Sequence, residues 1–381
     1  MRKSEFDSAP RIAIILGTRA ELIKTFPVML ELQKRNIPYY FIHTGQHNLQ
    51  NLCEMFKVKR PDAILTKESN KSSKFNSNQL KAIKWNIDLL FRIRKELKRM
   101  GNLDFVLYHG DTMTTATASI ATSRILNPFK KYKNVHLEAG LRSFDNSEPF
   151  PEEISRRIAG KVSDVLFAVS DLAKSNLRKK RAKVIHVGNT ILDSASIALK
   201  IAKKDKVKIL SKKPFALITI HRHENLKSKE RMEKIIEIIS SIPITSYFAM
   251  HDNTESKLKE FGLYKKLIEN KNLKIMPSMD YPSFIAQMEK CSLVVCDGGS
   301  MQEESLIFKK PCVVLRMKTE RQEGLRTNFQ FLSKLEVNVT KEKIKEYLSP
   351  RFKIKSFRNP YGEKGVSEKI VDELLTLERG R

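Results

Sequence analysis

Short β-branched apolar runs alternate along the chain with longer stretches whose apolar residues recur at helical spacing. Arg11–Leu16 predicts a strand, Leu22–Gln33 a helix and Tyr39–His43 a second strand. A helix-rich stretch follows through Met100. Asp104–His109 then predicts a strand, Thr114–Ile125 a helix and Val135–Leu137 a strand, with further strands at Val165–Val169 and Val184–Val187. Ile191–Lys203 is helical in pattern. Asp205–Lys213 is polar and basic without periodicity and marks a link between domains. The alternation then restarts with a strand at Phe215–Ile220, a helix at Lys229–Ile239 and strands at Thr245–Met250 and Leu273–Ile275. A helix at Tyr281–Met288, a strand at Leu293–Cys296, a helix at Met301–Phe308 and a strand at Cys312–Leu315 complete it. A last helix, Glu368–Leu377, carries Ile370, Val371, Leu374 and Leu375 on one face. Strands alternating with helices predict parallel sheets built from βαβ units. The expected fold is therefore α/β, with two Rossmann-like doubly wound domains in series, facing across a cleft. The expected boundaries are residues 1–200, residues 201–365 and a C-terminal helix at 366–381.

The 381 residues suffice for two ordinary domains, and 41% hydrophobic with 30% charged residues reads as soluble and globular. No apolar run approaches the roughly 18 residues of a membrane span. Ile12–Leu16 is too short for a signal-peptide core and is followed by a turn, so a cytoplasmic location is expected. Cys53, Cys291, Cys296 and Cys312 form no C-x-x-C pair and read as buried reduced thiols. The formal net charge of +28 raises the question of a polyanionic partner. The basic residues are spread through runs at Lys57–Arg60, Arg92–Arg99, Arg178–Arg181 and Lys203–Lys213, with no aromatic-basic interleaving or nucleic-acid motif. A lysine-rich solvated surface is the expected reading, and such a field also favours a small anionic substrate such as a nucleotide diphosphate.

In open parallel sheets, ligands bind outside the carboxyl ends of the strands. Five polar segments fall there: Gly17-Thr18-Arg19, His109-Gly110-Asp111-Thr112, Glu138-Ala139-Gly140-Leu141-Arg142, His221-Arg222-His223-Glu224 and Asp297-Gly298-Gly299-Ser300. Such convergence predicts an active site between the domains. Asp297 to Glu304 reads as a strand end, a glycine pair and a helix start, which suits a diphosphate on free backbone amides. Glu304, about one helical turn on, is placed to accept from a ribose diol; an ordinary turn with Asp297 capping the helix is the alternative. Arg19 and Lys24 are cations near a helix N-terminus, where the dipole does not favour them, which suggests an anionic ligand unless both are simply solvated.

Asp111, Glu138 and Glu152 are the candidate catalytic carboxylates, because carboxylates facing each other in a cleft can be driven apart into an acid and a base. For Asp111 the alternative is a helix N-cap over Thr114. Glu152 and Arg156 share a helical face, as do Glu153 and Arg157; the second pair reads as a surface ion pair. Along an extended segment His221 and His223 would share a face, yet no third ligand has convincing spacing. A metal is not expected, and a role toward a phosphate leaving group is preferred. His186, inside a strand, reads as structural.

At these residues the chain resembles the UDP-N-acetylglucosamine 2-epimerase family. The matching stretches are GTRAELIK (17–24), HGDTMTT (109–115), LEAGLRSFD (137–145), PFPEEISRR (149–157), VGNTILDS (187–194), HRHENL (221–226), DGGSMQEES (297–305), KPCVVLRMKTERQEG (310–324) and NPYG (359–362). They run in the family's order along nearly the whole chain. The resemblance implies a glycosyltransferase-B-like fold with an N-terminal sugar and catalytic domain and a C-terminal UDP-binding domain. It also implies a homodimer and a mechanism without a cofactor. A base removes the C2 proton while UDP leaves C1, giving a glycal; UDP then re-adds and a proton reaches the opposite face of C2. Carried over by motif, Asp111, Glu138 and Glu152 are the acid–base carboxylates, and Lys24 and Arg156 lie near the sugar. His221 steadies the departing phosphate, Gly298, Gly299 and Ser300 hold the diphosphate, and Glu304 holds the ribose. Arg19, His251 and Arg321 are further candidate nucleotide contacts, and Gln46 with Arg222 and His251 corresponds to a second UDP-sugar site in some members.

The chain departs from the family pattern at three places. Ala20 replaces a proline, Gly298-Gly299-Ser300 replaces Ser-Gly-Gly, and residues 65–90 lack a Gly-rich Gln-Thr-Gly stretch, carrying SNKSSKFNSNQ (69–79) instead. The third region shapes the sugar pocket in the family. Epimerisation of a modified UDP-sugar, hydrolysis releasing the free sugar, and glycosyl transfer on the same fold therefore stay open beside UDP-GlcNAc epimerisation.

Overall fold

The computed structural model describes residues 10–66, 79–146, 148–177 and 181–379. Most of the segment 69–79 and of the basic run 178–181 lies outside the described residues. The chain forms two compact units, Met1–Ser194 with Tyr361–Arg381, and Ala195–Pro360.

The first unit contains β1 (Ile12–Leu16), α1 (Arg19–Lys34), β2 (Tyr39–His43), α2 (Gln50–Phe56), β3 (Ala63–Ile64), α3 (Gln79–Met100), β4 (Phe105–His109), α4 (Met113–Ala121), β5 (Lys133–Ala139), α5 (Glu152–Val162), β6 (Val165–Ala168), α6 (Asp171–Ser175) and β7 (Lys183–His186). Its seven strands are ordered β3-β2-β1-β4-β5-β6-β7, and every pairing is parallel. The chain leaves this unit within α7 (Ile191–Lys204). The second unit continues with β8 (Phe215–Thr219), α8 (His223–Leu226), α9 (Lys229–Ser240), β9 (Thr245–Met250), α10 (Asp252–Glu260), α11 (Tyr264–Ile268), β10 (Leu273–Pro277), α12 (Tyr281–Lys290), β11 (Leu293–Cys296), α13 (Gly299–Ile307), β12 (Cys312–Val314), β13 (Gln330–Leu332) and α14 (Val337–Leu348). Its order is β10-β9-β8-β11-β12-β13, again parallel throughout. The segment 205–213 thus connects α7 to β8 inside the second unit.

Both sheets are covered on two faces, which is why their strands read as unbroken apolar runs rather than alternating ones. In the first unit Ala13, Ile15, Val106 and Tyr108 pack with Leu89, Ile93 and Leu97 of α3. In the second, Ile218, Phe248, Val295 and Val313 pack with Met232, Ile235 and Ile239 of α9. The four cysteines are buried and reduced, with Cys296 and Cys312 Sγ atoms 3.8 Å apart. Among the described residues no helix is long and apolar enough to cross a membrane.

Local chemistry explains where the elements depart from the pattern. α1 starts earlier than Leu22 because Thr18 and Glu21 form a capping box: Thr18 Oγ1 accepts from Glu21 N at 3.2 Å, and Glu21 Oε2 accepts from Thr18 N at 2.8 Å. α4 stops at Ala121, short of the Ile125 expected. The Thr122 and Ser123 hydroxyls turn back onto the carbonyls of Ala118 and Ile120 at 2.7 and 2.8 Å, which competes with helix continuation. β5 is longer than the expected Val135–Leu137 because its pairing with β4 begins at Lys133 and Asn134, and its pairing with β6 extends to Ala139. β13 was not expected; its three residues are held by pairing with β12.

The final helix, α15 (Val366–Arg379), returns to the first unit. Its face of Ile370, Val371, Leu374 and Leu377 is buried, and it packs on α1, where Arg35 pairs with Asp372 at 2.5 Å and Lys34 with Glu368 at 3.4 Å. Asp193 accepts from Gly365 N and Ser367 N, both at 2.7 Å, and fixes the approach to α15.

Candidate active site

In the first sheet the strand order reverses between β1 and β4, and the loops after these two strands form the usual ligand crevice of an open parallel sheet. Glu21, 3% exposed, ties the two loops together. It accepts from Gly17 N at 2.7 Å and Thr18 N at 2.8 Å on the β1 side. On the β4 side it accepts from the hydroxyls of Thr112 and Thr115, the latter at 3.2 Å. Burial pushes the Glu21 carboxyl up, and the Thr112 hydroxyl with the Gly17 and Thr18 amides opposes the shift.

Around this junction lie two acid–cation pairs. Lys24, from α1, pairs with Glu138, and both side chains are almost fully buried. Arg156, from α5, is buried and pairs with Asp111 of the loop after β4. Glu138 has φ +62° at the end of β5, beside a register shift between β5 and β6. A non-glycine residue in that conformation costs about 1–2 kcal/mol, and such local strain is characteristic of functional positions. Glu152 opens α5, half-buried, one turn before Arg156. Gln46 Oε1 accepts from Thr114 Oγ1 at 2.9 Å and lies against Gly17. Arg19 is exposed at the start of α1, its amide 3.4 Å from His47 Nδ1.

Three of the alternative readings are settled by this geometry. The N-cap of α4 is Thr112, which accepts from Thr115 N, leaving Asp111 to Arg156. Lys24 is not a solvated cation; its counter-charge is Glu138. The Glu153–Arg157 pair forms at 3.1 Å but is not a surface pair, because Glu153 is fully buried and also accepts from Ser143 N at 3.1 Å. Gly140, with φ +96°, lets the chain turn directly after Glu138; an added Cβ would lie 2.3 Å from Ala173 O. Gly140→Ala is expected to destabilise the fold by about 2–4 kcal/mol, seen as a lowered urea midpoint.

His109 and His136 lie beside these pairs, 2% and 1% exposed. Burial holds both rings down at about 4, and His136 Nε2 donates to Gly110 O at 2.7 Å. Both rings are thus neutral in the folded protein while the unfolded chain takes up protons below about 6.5. The stability they contribute is complete above that pH and is lost as pH falls toward about 4, by up to roughly 3 kcal/mol per ring. A urea midpoint that stays level between pH 7 and 5 would refute this.

The second sheet reverses between β8 and β11. Asp297, fully buried after β11, accepts from His221 N at 3.0 Å, Arg222 N at 2.9 Å and Asn225 Nδ2 at 3.0 Å. It therefore fixes the loop after β8 and does not cap α13. The cap position of α13 is Gly298, with no side-chain hydrogen bond, so the first amides of the helix meet no capping side chain. The His221 ring lies over Gly298, 3.1 Å from where a Cβ would stand, and 5.1 Å between centroids from His251. His223 opens α8 and does not continue the strand, so the shared extended face with His221 is lost.

Arg321 is buried and lies against Gly299, paired with Glu303 at 2.9 Å and with Glu320. Arg222 Nη2 is 3.9 Å from Glu320 Oε1. Glu304 Oε1 accepts from the Tyr281 phenol at 2.8 Å, and Ser300 lies half-buried in the first turn of α13. Glu21, Asn225, Glu303 and Glu320 were not singled out from the sequence. Glu21 carried a visible signal, the Thr-x-x-Glu spacing of a capping box; the other three carried none.

A family model described as UDP-N-acetylglucosamine 2-epimerase matches residues 30–375. A UDP-N-acetylglucosamine 2-epimerase of Methanocaldococcus jannaschii is 34% identical over 95% of this chain and 98% of its own. The Bacillus subtilis protein of the same name is 31% identical over 96% and 95%. The crystal structure of the M. jannaschii enzyme in complex with UDP-GlcNAc and UDP superposes with a TM-score of 0.80, at 32% identity, over 96% of this chain and 99% of that one. This chain belongs to the UDP-N-acetylglucosamine 2-epimerase family.

Proposed function

We propose that the protein interconverts UDP-N-acetylglucosamine and UDP-N-acetylmannosamine by eliminating and re-adding UDP, without releasing the free sugar. The observation that carries this is the pair of acid–cation contacts, Lys24 with Glu138 and Arg156 with Asp111, at the carboxyl edge of the first sheet. Two carboxylates held by cations beside a third, Glu152, supply the proton acceptor and donor that inversion at C2 requires. One carboxylate removes the C2 proton as the C1–O bond breaks and UDP leaves with the bonding electrons. UDP then re-forms the C1–O bond as the conjugate acid of a second carboxylate protonates the other face of C2. Lys24 and Arg156 hold these carboxylates and lie near the sugar.

The second unit's edge holds the nucleotide. The amides of Gly298, Gly299 and Ser300 take the diphosphate at the uncapped end of α13. His221 donates to the departing phosphate, Glu304 takes the ribose, and Arg19, His251 and Arg321 complete the nucleotide contacts. Gln46 and Arg222 are assigned to a second UDP-sugar site. The active form is a cytoplasmic homodimer. Ile83, Ile87 and Phe91, all exposed and spaced by four on α3, supply an apolar seam for it.

Incubation with UDP-GlcNAc in heavy water tests the reading. UDP-ManNAc carrying deuterium at C2 is expected. Free ManNAc with UDP would mean hydrolysis. Turnover only on addition of an acceptor would mean glycosyl transfer, and either result would refute the proposal.

A further inference from the structure

Two adjacent glutamates on α13 have donors of different chemistry. Glu303 is buried against the Arg321 guanidinium, whose Nε donates to Glu303 Oε1 at 2.9 Å. Glu304, also buried, accepts on Oε1 from a neutral group, the Tyr281 phenol, at 2.8 Å. The phenol is itself held in place. Tyr281 opens α12, where Asp280 caps the helix by accepting from Ser283 N at 2.8 Å and Pro282 lies in the first turn. The tyrosine ring packs against the buried cluster of Ala195, Ala198 and Ile285. Burial and the neighbouring Glu304 carboxylate push the phenol well above its usual range, so at neutral pH it stays protonated and remains a donor.

We infer that Tyr281 is a positioning residue for the nucleotide: its hydroxyl sets the rotation of the Glu304 carboxylate, and with it the preference for a ribose over a sugar lacking the diol. This rests on the ribose contact proposed for Glu304. A carboxylate offers about four acceptor positions on its two oxygens. Donation by the phenol takes one of them and restrains the terminal torsion, which is otherwise broad. The two hydroxyls of a diol then meet acceptors whose directions are set before binding, so less order is lost when the nucleotide arrives. The phenol brings no counter-charge, unlike the guanidinium on Glu303, and charged acceptors make the stronger hydrogen bonds to hydroxyls.

The test is calorimetric titration of the full chain with UDP and with dideoxy-UDP, in which both ribose hydroxyls are replaced by hydrogen, repeated on Tyr281→Phe. The parent is expected to bind UDP at least about tenfold more tightly than the dideoxy compound, because a group built to bond a hydroxyl rejects the analogue without it. Tyr281→Phe keeps the ring and its packing. In that variant the ratio should fall by about five- to tenfold through weaker UDP binding, with the dideoxy compound bound within about twofold of the parent. KM for UDP-GlcNAc should rise while kcat is unchanged, as for an interaction made equally in ground and transition states. On a Glu304→Gln background, Tyr281→Phe should change the ratio no further. A parent-like ratio in Tyr281→Phe, or equal weakening of both compounds, overturns the inference and leaves the ribose contact standing. No discrimination by the parent overturns the ribose contact itself, and the inference with it.

Discussion

Glu138→Gln should stop deuterium entering C2 of the UDP-sugar while the chain stays folded. If Glu138 carries the proton, the isosteric amide cannot, and turnover should fall by about 10²–10⁴-fold. The substitution separates chemistry from structure because glutamine keeps an oxygen that can accept from Lys24 Nζ. Glu138→Ala removes that acceptor and leaves the buried Lys24 ammonium without its counter-charge, at a cost of about 3–5 kcal/mol. The alanine variant should therefore lose both activity and thermal stability, and the glutamine variant mainly activity. Exchange in Glu138→Gln within a few-fold of the parent would remove Glu138 from the acid–base set, whatever its effect on melting.

Asp297→Ala should be the most damaging change in the second unit. Its fully buried carboxylate receives two backbone amides and the Asn225 side chain. Alanine leaves those donors buried and unmatched, at about 1–3 kcal/mol each, for a total loss of several kcal/mol. Since the amides belong to His221 and Arg222, the loop that carries the proposed phosphate contact should loosen as well. Calorimetry should show a lowered melting temperature, and titration with UDP should show weakened binding at temperatures where the variant is still folded. A variant that melts normally would mean that water replaces the carboxylate, and the loop is not pinned as described.

The alternation of strands and helices, and the positions of the loops after β1, β4, β5, β8 and β11, were legible because buried parallel strands leave unbroken apolar runs. The short strand β13 was not, since three residues give no period and only pairing with β12 defines it. In the site, the residue types and their loops could be read from the sequence, but their partners could not. Thr112 rather than Asp111 caps α4, and Asp297 faces the loop after β8 rather than the helix that follows it. These choices depend on groups 45 residues away in sequence for Asp111 and Arg156 and 76 for His221 and Asp297. Local spacing carries no record of such distances. The burial of Glu153 was hidden for the same reason: its i,i+4 partner suggested a surface pair, while Ser143 lies in an earlier loop.

Because Tyr361–Arg381 completes the first unit while Ala195–Pro360 forms the second, the order of synthesis and the order of closure differ. A ribosome that has translated through Pro360 holds every segment of the second unit but lacks α15, which covers α1 and meets Asp193 through Gly365 and Ser367. A released chain that ends there leaves the first unit with an open flank on α1, while the second unit has all of its segments. Chains stalled or clipped near residue 360 should accordingly be protease-sensitive in the earlier-made half, and supplying the missing helix as a separate peptide is the natural way to restore it.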